Sequence, residues 1–362
     1  MSIDTDRHSS DLATELAPDL RGLERRGQLP SWATPAALGA AAVVVGGLLA
    51  ITGFSVGLFV VGTVVVFAVG LYVLSRVVEG RRKATDRLVT IVVTSAFLVA
   101  LVPLFSVVIT VVGYGITRFD AQFFTNSMRG IVGEGGGAYH AIMGTLIITL
   151  LAAVMSIPVG TLTAIYLVEY GKGRLARAIT FFVDVMTGIP SIVAGLFAVA
   201  LFTLLLGPGA RLGFAGAVAL SVLMIPVVVR STEEMLKIVP NELREAAFAL
   251  GVPKWRTILK VVIPTSIAGI ASGVTIAIAR VIGETAPLLV TVGITTGLNL
   301  NPFDGRMSTL PVFAYYSYTQ PGVPPEPSLD RAWTAALVLI ILVMLLNLVA
   351  RLIARLFAPK TR

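Results

Sequence analysis

The sequence contains no cysteine and only two histidines, His8 and His140, among its 362 residues. Without thiols there are no disulfides or thiolate ligands, and two isolated histidines exclude nearly every transition-metal site. Nucleophilic triads and the H-E-x-x-H zinc pattern both need histidines that are missing here. The phosphate-binding pattern G-x-x-x-x-G-K-[ST] is also absent, because GEGGG at 133–137 lacks the lysine. We therefore predict no catalytic, cofactor-binding or metal site, and no ATP hydrolysis by this chain alone.

Charged residues are scarce as well, at 13% of the chain against 56% apolar residues, and the mean hydropathy is +0.90. This composition is too apolar for a soluble domain and indicates an integral membrane protein. A spanning helix needs about 20 apolar residues. Runs of about this length predict eight spans, at 36–54, 57–75, 88–112, 141–168, 180–206, 214–229, 265–290 and 333–353. Pro158 and Pro190 interrupt two of the runs and indicate helix kinks.

The positive charges are distributed unevenly along the chain. Of the 28 Lys and Arg residues, 22 fall in alternating segments, namely the N-terminal leader, 76–87, 169–179, 230–262 and the C-terminal end 351–362. These segments must share one side of the membrane, and the positive-inside tendency makes that side cytoplasmic. We predict a multi-pass protein of the cell membrane, in contact with lipid and with both termini cytoplasmic. The net charge of +8 is explained by this topology and not by a nucleic-acid partner.

The order of polar and apolar segments predicts the domain organisation. Residues 1–34 are predicted to form a disordered cytoplasmic leader, whose polar, mixed-charge sequence has the wrong order for a secretory signal. Residues 35–87 are an extra transmembrane hairpin with a charged linker, and 88–357 form the six-helix working unit. Residues 358–362 are a cytoplasmic tail. The opposite side of the membrane receives a long loop at 291–331.

Residues 231–264 form the most distinctive segment, a hydrophilic island between apolar runs, STEEMLKIVPNELREAAFALGVPKWRTILKVVIP. Ser231 and Glu234 have the spacing of a capping box, and Pro240 suits a first helical turn. Gly251 is a natural helix stop, and Pro253 opens a second helix that runs down to the end of the island. The pattern predicts a helix, a glycine turn and another helix on the membrane surface.

The spacing of Leu243, Ala246, Ala247 and Leu250 places them on one helix face. Amphipathicity alone also fits an interfacial helix that merely covers the bundle. However, the segment resembles the EAA signature of ATP-binding-cassette importer permeases, and the matching residues are Glu245, Ala246, Ala247, Gly251 and Pro264. The resemblance implies a coupling helix that docks in a cleft of an ATPase subunit, with Glu245 and Gly251 as coupling determinants.

Four further strings resemble the PstA family of phosphate-importer permeases over roughly residues 88–357. They are TGIPSIVAGLF, IPVVVRSTEEMLKIVP, ARVIGETAPLL and LPVFAYYSYTQ. The resemblance implies an all-α polytopic fold with a type I, MetI-like six-helix permease core, to which the N-terminal hairpin is added. It also implies a permease subunit of an ATP-driven phosphate importer. The implied partners are a homologous PstC-like permease, two PstB-like ATP-binding subunits and an extracytoplasmic PstS-like phosphate-binding protein.

Two other functions compete with this interpretation. One is a permease for another oxyanion or small solute, and the other is a membrane-embedded enzyme or sensor scaffold. The second would need a catalytic cluster, and the sequence shows none.

Ionisable residues within the predicted spans are the candidate substrate pathway, because a hydrated anion crossing an apolar layer needs positive groups to replace lost water. Arg280 is placed deep in the seventh span, with Glu284 four residues on and hence on the same helix face. The pair either neutralises itself until the anion passes or is a buried ion pair that fixes packing. Arg230 at the edge of the sixth span either snorkels to the interface or serves anion exit or coupling. Asp184 is either a proton or gating group or a solvated, hydrogen-bonded one.

Overall fold

The computed structural model describes residues 27–357, so the first 26 residues of the predicted leader and the predicted tail 358–362 lie outside the described residues. Within that range the chain is helical and contains no strand. The helices are α1 Ala33–Thr52, α2 Val56–Val78, α3 Arg81–Gly115, α4 Ala121–Thr125, α5 Tyr139–Ile165, α6 Gly173–Thr187, α7 Ser191–Leu206, α8 Gly213–Ile238, α9 Asn241–Ala249, α10 Lys254–Thr257, α11 Ile263–Ile282, α12 Ala286–Thr291, α13 Leu310–Thr319 and α14 Glu326–Phe357. Two five-residue π-helical turns, Tyr166–Tyr170 after α5 and Ile258–Val262 between α10 and α11, extend long helices.

Seven helices of the described chain are long and apolar enough to cross a membrane, and there are eight if one bent pair counts as a span. The bent pair replaces the straight helix predicted at 180–206. The axes of α6 and α7 differ in direction by 107°, and the break lies at Gly188–Pro190. Because Pro190 lacks an N–H and disfavours the helical conformation in the residue before it, it ends α6 and does not merely kink it.

The seventh predicted span, 265–290, is also corrected by the structure. The observed helix begins earlier, at Lys254, and stops at Ile282. The segment that follows was predicted as a loop over 291–331, yet it contains the ten-residue helix α13. This helix is held by a buried hydrogen bond in which the Leu310 amide donates to Thr145 Oγ1 of α5, at 2.7 Å.

The described chain divides into two compact units, with the boundary between residues 107 and 108. In the first unit α1 and α2 form an antiparallel hairpin across the short connection 53–55. A side chain on Gly62 would come within 3.0 Å of Val45 Cγ1, so the glycine permits close approach of the two helices.

Charged contacts anchor the base of the hairpin. The side chain of Glu79 is 2% exposed and accepts from Arg87 Nε at 2.8 Å. It also accepts from the Leu29 amide at 2.9 Å and from Ser75 Oγ at 2.7 Å. One carboxylate therefore ties the segment before α1 to the end of α2 and the start of α3.

The second unit is built around α8, which is the most deeply buried of the spanning helices and packs against α5, α7 and α11. Its core is apolar and includes Ile148, Leu220, Met224, Val281 and Leu288. Gly269 and Gly273 of α11 both face α8, with the GxxxG spacing that permits close helix approach. A side chain on Gly273 would lie 2.5 Å from Ser231 Cβ, and one on Gly269 would lie 2.7 Å from Met235 Cγ.

Candidate functional site

Helix α9 is a nine-residue helix between α8 and α10, and both of its ends are set by local sequence. Pro240 precedes its first residue with φ −59° and ψ 142°, a conformation that its ring favours. At the other end Gly251 adopts φ +74°. The Gly251 amide donates to Phe248 O at 2.9 Å, and the Val252 amide donates to Ala247 O at 3.1 Å. These two bonds form a Schellman closure, which requires a left-handed residue and therefore favours glycine. The predicted helix stop at Gly251 is confirmed.

Most of α9 is open to the surroundings of the chain. Glu245 and Ala246 are exposed, and only Ala247 is buried within the helix. The apolar side chains are exposed too, at 42% for Leu243, 44% for Phe248 and 83% for Leu250. The predicted apolar face therefore splits, because Ala247 faces the bundle while the larger residues face outward. Within residues 27–357 no other segment covers them.

Arg244 fastens α9 to two of the spanning helices. Its Nε and Nη2 donate to Glu169 Oε1 at 3.0 and 2.9 Å. Its Nη1 donates to Val239 O at 2.7 Å and its Nη2 to Leu236 O at 3.0 Å, at the C-terminal end of α8. The two side chains are only 12% and 6% exposed. Since the guanidinium satisfies a carboxylate and two helix-end carbonyls together, α9 cannot swing freely.

A third span is joined at the same place through Lys254, the first residue of α10. Its ammonium donates to the backbone oxygen of Glu169 and lies 4.8 Å from the centroid of the Tyr170 ring. The turn Tyr166–Tyr170 is thus held from both α9 and α10. These contacts join the α9–α10 segment to the ends of α5 and α8, and α10 itself continues into α11.

The island predicted over 231–264 is shorter than expected. Helix α8 runs without a break through Ser231 and Glu234 to Ile238, so the predicted capping box is wrong. The Ser231 hydroxyl donates to Val228 O at 3.2 Å, as a mid-helix serine does. The second predicted helix is not a separate surface helix, because α10 continues through the turn Ile258–Val262 into the span. Pro264 is exposed near the start of α11.

Arg230 lies in α8 and is bound by carboxylates on two helices. It pairs with Asp184 of α6 and donates through Nη1 to Glu233 Oε2 at 2.8 Å. Glu233 also accepts from Lys237 Nζ at 2.7 Å and its side chain is 11% exposed. The four groups form an alternating charge network that connects α6 to α8. Asp184, predicted as gating or hydrogen-bonded, is hydrogen-bonded here.

Arg280 and Glu284 do not share a helix face, and this prediction is wrong. Helix α11 ends at Ile282 with Gly283 as its cap, so Glu284 lies beyond the helix. Arg280 is in the last helical turn and not deep in a continuous span. Among the six ion pairs of the described chain none contains either residue. Arg280 is exposed and Glu284 is half-buried, on the two sides of the break.

A model of the family described as the inner membrane component of binding-protein-dependent transport systems matches residues 156–362. This region contains α8, α9 and α11 together with the second part of α5 and the turn Tyr166–Tyr170. The chain belongs to this family. Its members are membrane components of transport systems, so the chain is a transport subunit and not an enzyme.

Individual members of the family align over most of both chains. The phosphate transport system permease protein PstA of Mycobacterium leprae is 49% identical over 281 residues, which is 76% of this chain and 90% of the relative. PstA 1 of Mycobacterium tuberculosis H37Rv is 48% identical over 278 residues, covering 75% and 88%. PstA of Yersinia pestis is 36% identical over 281 residues, covering 77% and 92%.

Solved structures confirm the predicted importer-permease fold at low sequence identity. A bacterial alginate ABC transporter in complex with its pentasaccharide-bound periplasmic protein gives a TM-score of 0.54 at 13% identity, covering 79% of this chain and 100% of that one. A bacterial ABC transporter involved in importing the acidic polysaccharide alginate gives 0.51 at 14%, covering 75% and 96%. At these identities the likeness is one of fold.

Arg244 and Glu169, the ion pair that holds α9 against the end of α5, were not predicted from the sequence. Arg244 directly precedes Glu245, but an arginine on a polar helix is usually a solvated residue. Glu169 lies 75 residues away in sequence from Arg244. In the sequence Glu169 stands out only as an acidic residue within a basic segment, and this does not indicate which residue it pairs with.

Proposed function

We propose that the chain is the permease subunit of an ATP-driven phosphate importer, forming half of the translocation pathway. The observation that carries the proposal is the 49% identity to a phosphate transport system permease over 90% of that protein's length. The exposed helix α9, fixed to three spans, fits the mechanical task of such a subunit. The alternative is a permease for another oxyanion or small solute.

Helix α9 is the proposed docking point for an ATPase subunit. Glu245, Ala246, Phe248 and Leu250 are exposed on it, and a partner's cleft would remove their apolar surface from water. Gly251 sets the turn that follows, and Ala247 seats the helix on the bundle. Pro264 stands where α11 begins after the π-helical turn, so it sets the direction in which the span leaves the docking point. Closure of the ATPase would then pull α5, α8 and α11 together.

The proposed assembly contains a homologous PstC-like permease, two PstB-like ATP-binding subunits and a PstS-like phosphate-binding protein. In this arrangement α9 and both chain termini are assigned to the cytoplasmic side from the distribution of Lys and Arg along the sequence. The binding protein would meet the opposite end. Residues 35–87 are proposed as an added hairpin outside the permease core 88–357, since the likeness to the mycobacterial phosphate permeases extends over about three quarters of the chain.

Arg280 and Glu284 are proposed to line the phosphate pathway where the helix break lies. An ionised side chain that faces lipid is costly, so Arg280, exposed in the last turn of α11, needs a polar surrounding. A surface shared with the second permease supplies one, and an anion in transit would contact the guanidinium there. Arg230 is already neutralised by Asp184 and Glu233, which favours a role in coupling α6 to α8 over direct anion binding.

Reconstitution tests the proposal. The chain, a partner permease, the ATPase and the binding protein are placed in proteoliposomes, and accumulation of labelled phosphate is followed with and without ATP. We expect uptake that requires ATP and is not competed by excess sulfate or molybdate. Uptake of sulfate or molybdate in place of phosphate would establish the alternative substrate class. Absence of any ATP-driven solute uptake from a correctly assembled complex would contradict the transport role.

A further inference from the structure

A cavity of about 260 Å³, lined by both polar and apolar side chains, lies in the second unit at the end of α5 that begins with Tyr139. Helix α5 has 27 residues, so this end is about 40 Å from the Glu169 end at a rise of 1.5 Å per residue. The cavity is bounded by the start of α5, the segment 294–296, helix α13 and the start of α14. It is therefore separate from the coupling site and from Arg280.

His140 forms part of the cavity wall and is 2% exposed. Neither of its ring nitrogens has a hydrogen-bond partner within the described chain. One ring contact is apolar, because Phe313 meets the imidazole edge to face with centroids 5.5 Å apart. A buried polar group without a partner is costly, so it calls for a ligand or water that supplies the missing bond. The nitrogens are covered in this conformation, so a ligand in the cavity would reach one of them only after the ring turns about its broad χ2 torsion.

The remaining polar lining is uncharged and rich in groups that both donate and accept. It consists of the hydroxyls of Thr295, Thr296, Tyr316 and Ser328 and the amide of Gln320, with Ser317 beside them. No carboxylate lines the cavity, and the described residues contain no cluster of acidic or histidine side chains that could hold a metal ion. Apolar side chains of Met128, Ile294 and Phe313 complete the wall, and without a carboxylate the lining does not suit a cation. Hydroxyl and amide donors suit a small oxyanion.

We propose that this cavity is a binding subsite for a protonated tetrahedral oxyanion, with His140 as its recognition residue. The proposal deepens the proposed function, because inorganic phosphate would use the subsite on entering the permease from the end opposite α9. A neutral imidazole presents one N–H donor and one acceptor nitrogen. Phosphate at neutral pH keeps at least one proton and can both accept and donate. Sulfate has no proton to donate and leaves the acceptor nitrogen unpaired, so the subsite prefers phosphate.

The direct test observes the histidine itself. His8 and His140 are the only histidines, so the His8→Asn chain labelled with ¹⁵N-histidine reports His140 alone. Purified full-length chain is titrated with inorganic phosphate, with sulfate and with a short-chain phosphatidylglycerol. We expect a saturable shift of the imidazole nitrogen resonances with phosphate only. An unshifted signal, an equal response to sulfate, or a response to the lipid alone would each overturn the proposal.

Variants test the consequence for transport in the assembled importer. His140→Phe keeps the ring shape and removes both nitrogens, and we expect KM for phosphate uptake to rise about tenfold with little change in kcat, as for one lost hydrogen bond. His140→Asn retains a donor and an acceptor and should restore part of the affinity. Gln320→Leu gives a second probe on another element of the lining. If no ligand uses the site, His140→Phe will leave KM unchanged and raise the thermal stability.

The two experiments separate this inference from the proposed function. A wild-type importer that accumulates phosphate while the His140 resonance ignores phosphate leaves the function intact and removes the subsite. If the His140 resonance responds to phosphate but the assembled complex transports another solute, the subsite is supported and the proposed function is contradicted.

Discussion

The guanidinium of Arg244 lies 2.9 Å from the carboxylate of Glu169, and both side chains are almost fully buried. Arg244 lies in α9, directly before the Glu-Ala-Ala sequence, and Glu169 lies 75 residues earlier at the end of a span. Removing one partner of a buried ion pair leaves an uncompensated charge and costs about 3–5 kcal/mol. Helix α9 is consequently held firmly against the ends of α5 and α8.

Substitutions of this pair should differ in severity. Arg244→Leu strands Glu169 and also frees the carbonyls of Leu236 and Val239, so it should lower the thermal midpoint most and uncouple ATP hydrolysis from uptake. Glu169→Gln keeps an accepting oxygen and should be milder. The charge swap Arg244→Glu with Glu169→Arg should not restore uptake, because a carboxylate cannot donate to the two carbonyls. Thermal unfolding and the ratio of uptake to ATP hydrolysis measure the effects, and full recovery in the swap would refute the role of the carbonyls.

Gly251→Ala should destabilise the turn after α9 by about 1–2 kcal/mol, because alanine is strained at a positive φ. The matched control is Gly283→Ala. At both positions an added methyl group would meet no other atom within 4 Å, but Gly251 has φ +74° and Gly283 has φ −91°. The difference between the two variants therefore isolates the backbone conformation. Equal thermal midpoints and equal retention of the ATPase on the purified complex would contradict this account.

Glu79 should make the hairpin base sensitive to acid. The hydrogen bond from Arg87, followed by those from the Leu29 amide and Ser75, lowers the pKa of Glu79 from 4.5 to about 2. A carboxylate whose pKa is lowered on folding stabilises the fold above its unfolded pKa and loses that effect as pH falls through the folded value. We expect amide protection around 75–87 to fall between pH 4.5 and 2.

The Glu79→Gln variant should show low protection in this segment already at neutral pH and little further loss on acidification. Asp86→Asn changes an exposed carboxylate nearby and is the control. Hydrogen exchange read by mass spectrometry measures both. An acid response of the Gln variant equal to that of the wild type would assign the response to other groups.

The charge network at Arg230 predicts unequal effects of its two carboxylates. Glu233 is 11% exposed and holds both Arg230 and Lys237, whereas Asp184 is 59% exposed. Exposed ion pairs contribute about 0–1 kcal/mol, so Asp184→Asn should change stability little. Glu233→Gln should lower the thermal midpoint clearly. The reverse order would show that the contact between α6 and α8 depends mainly on Asp184.

Arg280→Gln should abolish phosphate uptake while the complex still assembles, because the positive charge of the proposed pathway is lost. Arg129→Gln removes an exposed arginine outside the spans and should transport normally. Uptake into proteoliposomes is measured beside the subunit composition of the purified complex. Loss of assembly with Arg280→Gln would assign the residue to packing instead.

The sequence allowed prediction of the helical class, the number of apolar segments and the turn at Gly251, because hydrophobic length and glycine conformation are local properties. It did not reveal where long apolar runs break. Pro190 was expected to kink a helix but ends one, and the stop of α11 at Ile282 could not be inferred because Gly283 has an ordinary φ. The ion pair of Arg244 with Glu169 depends on tertiary placement. His140 has the sequence context of a surface residue but is buried, because α13 packs over the start of α5.

The π-helical turns Tyr166–Tyr170 and Ile258–Val262 each lie at the end of a span that is close to α9. A π-helical turn contains one residue more than an α-turn, which offsets all later side chains by about 100° around the axis. The same two helices therefore present lipid-compatible faces along their length and polar groups towards α9 at their ends. A helical wheel drawn with a regular α-helical repeat therefore puts Glu169 and Lys254 on the wrong side of their spans. Removing a single residue from either turn would rotate these side chains away from their partners while leaving every transmembrane contact in place.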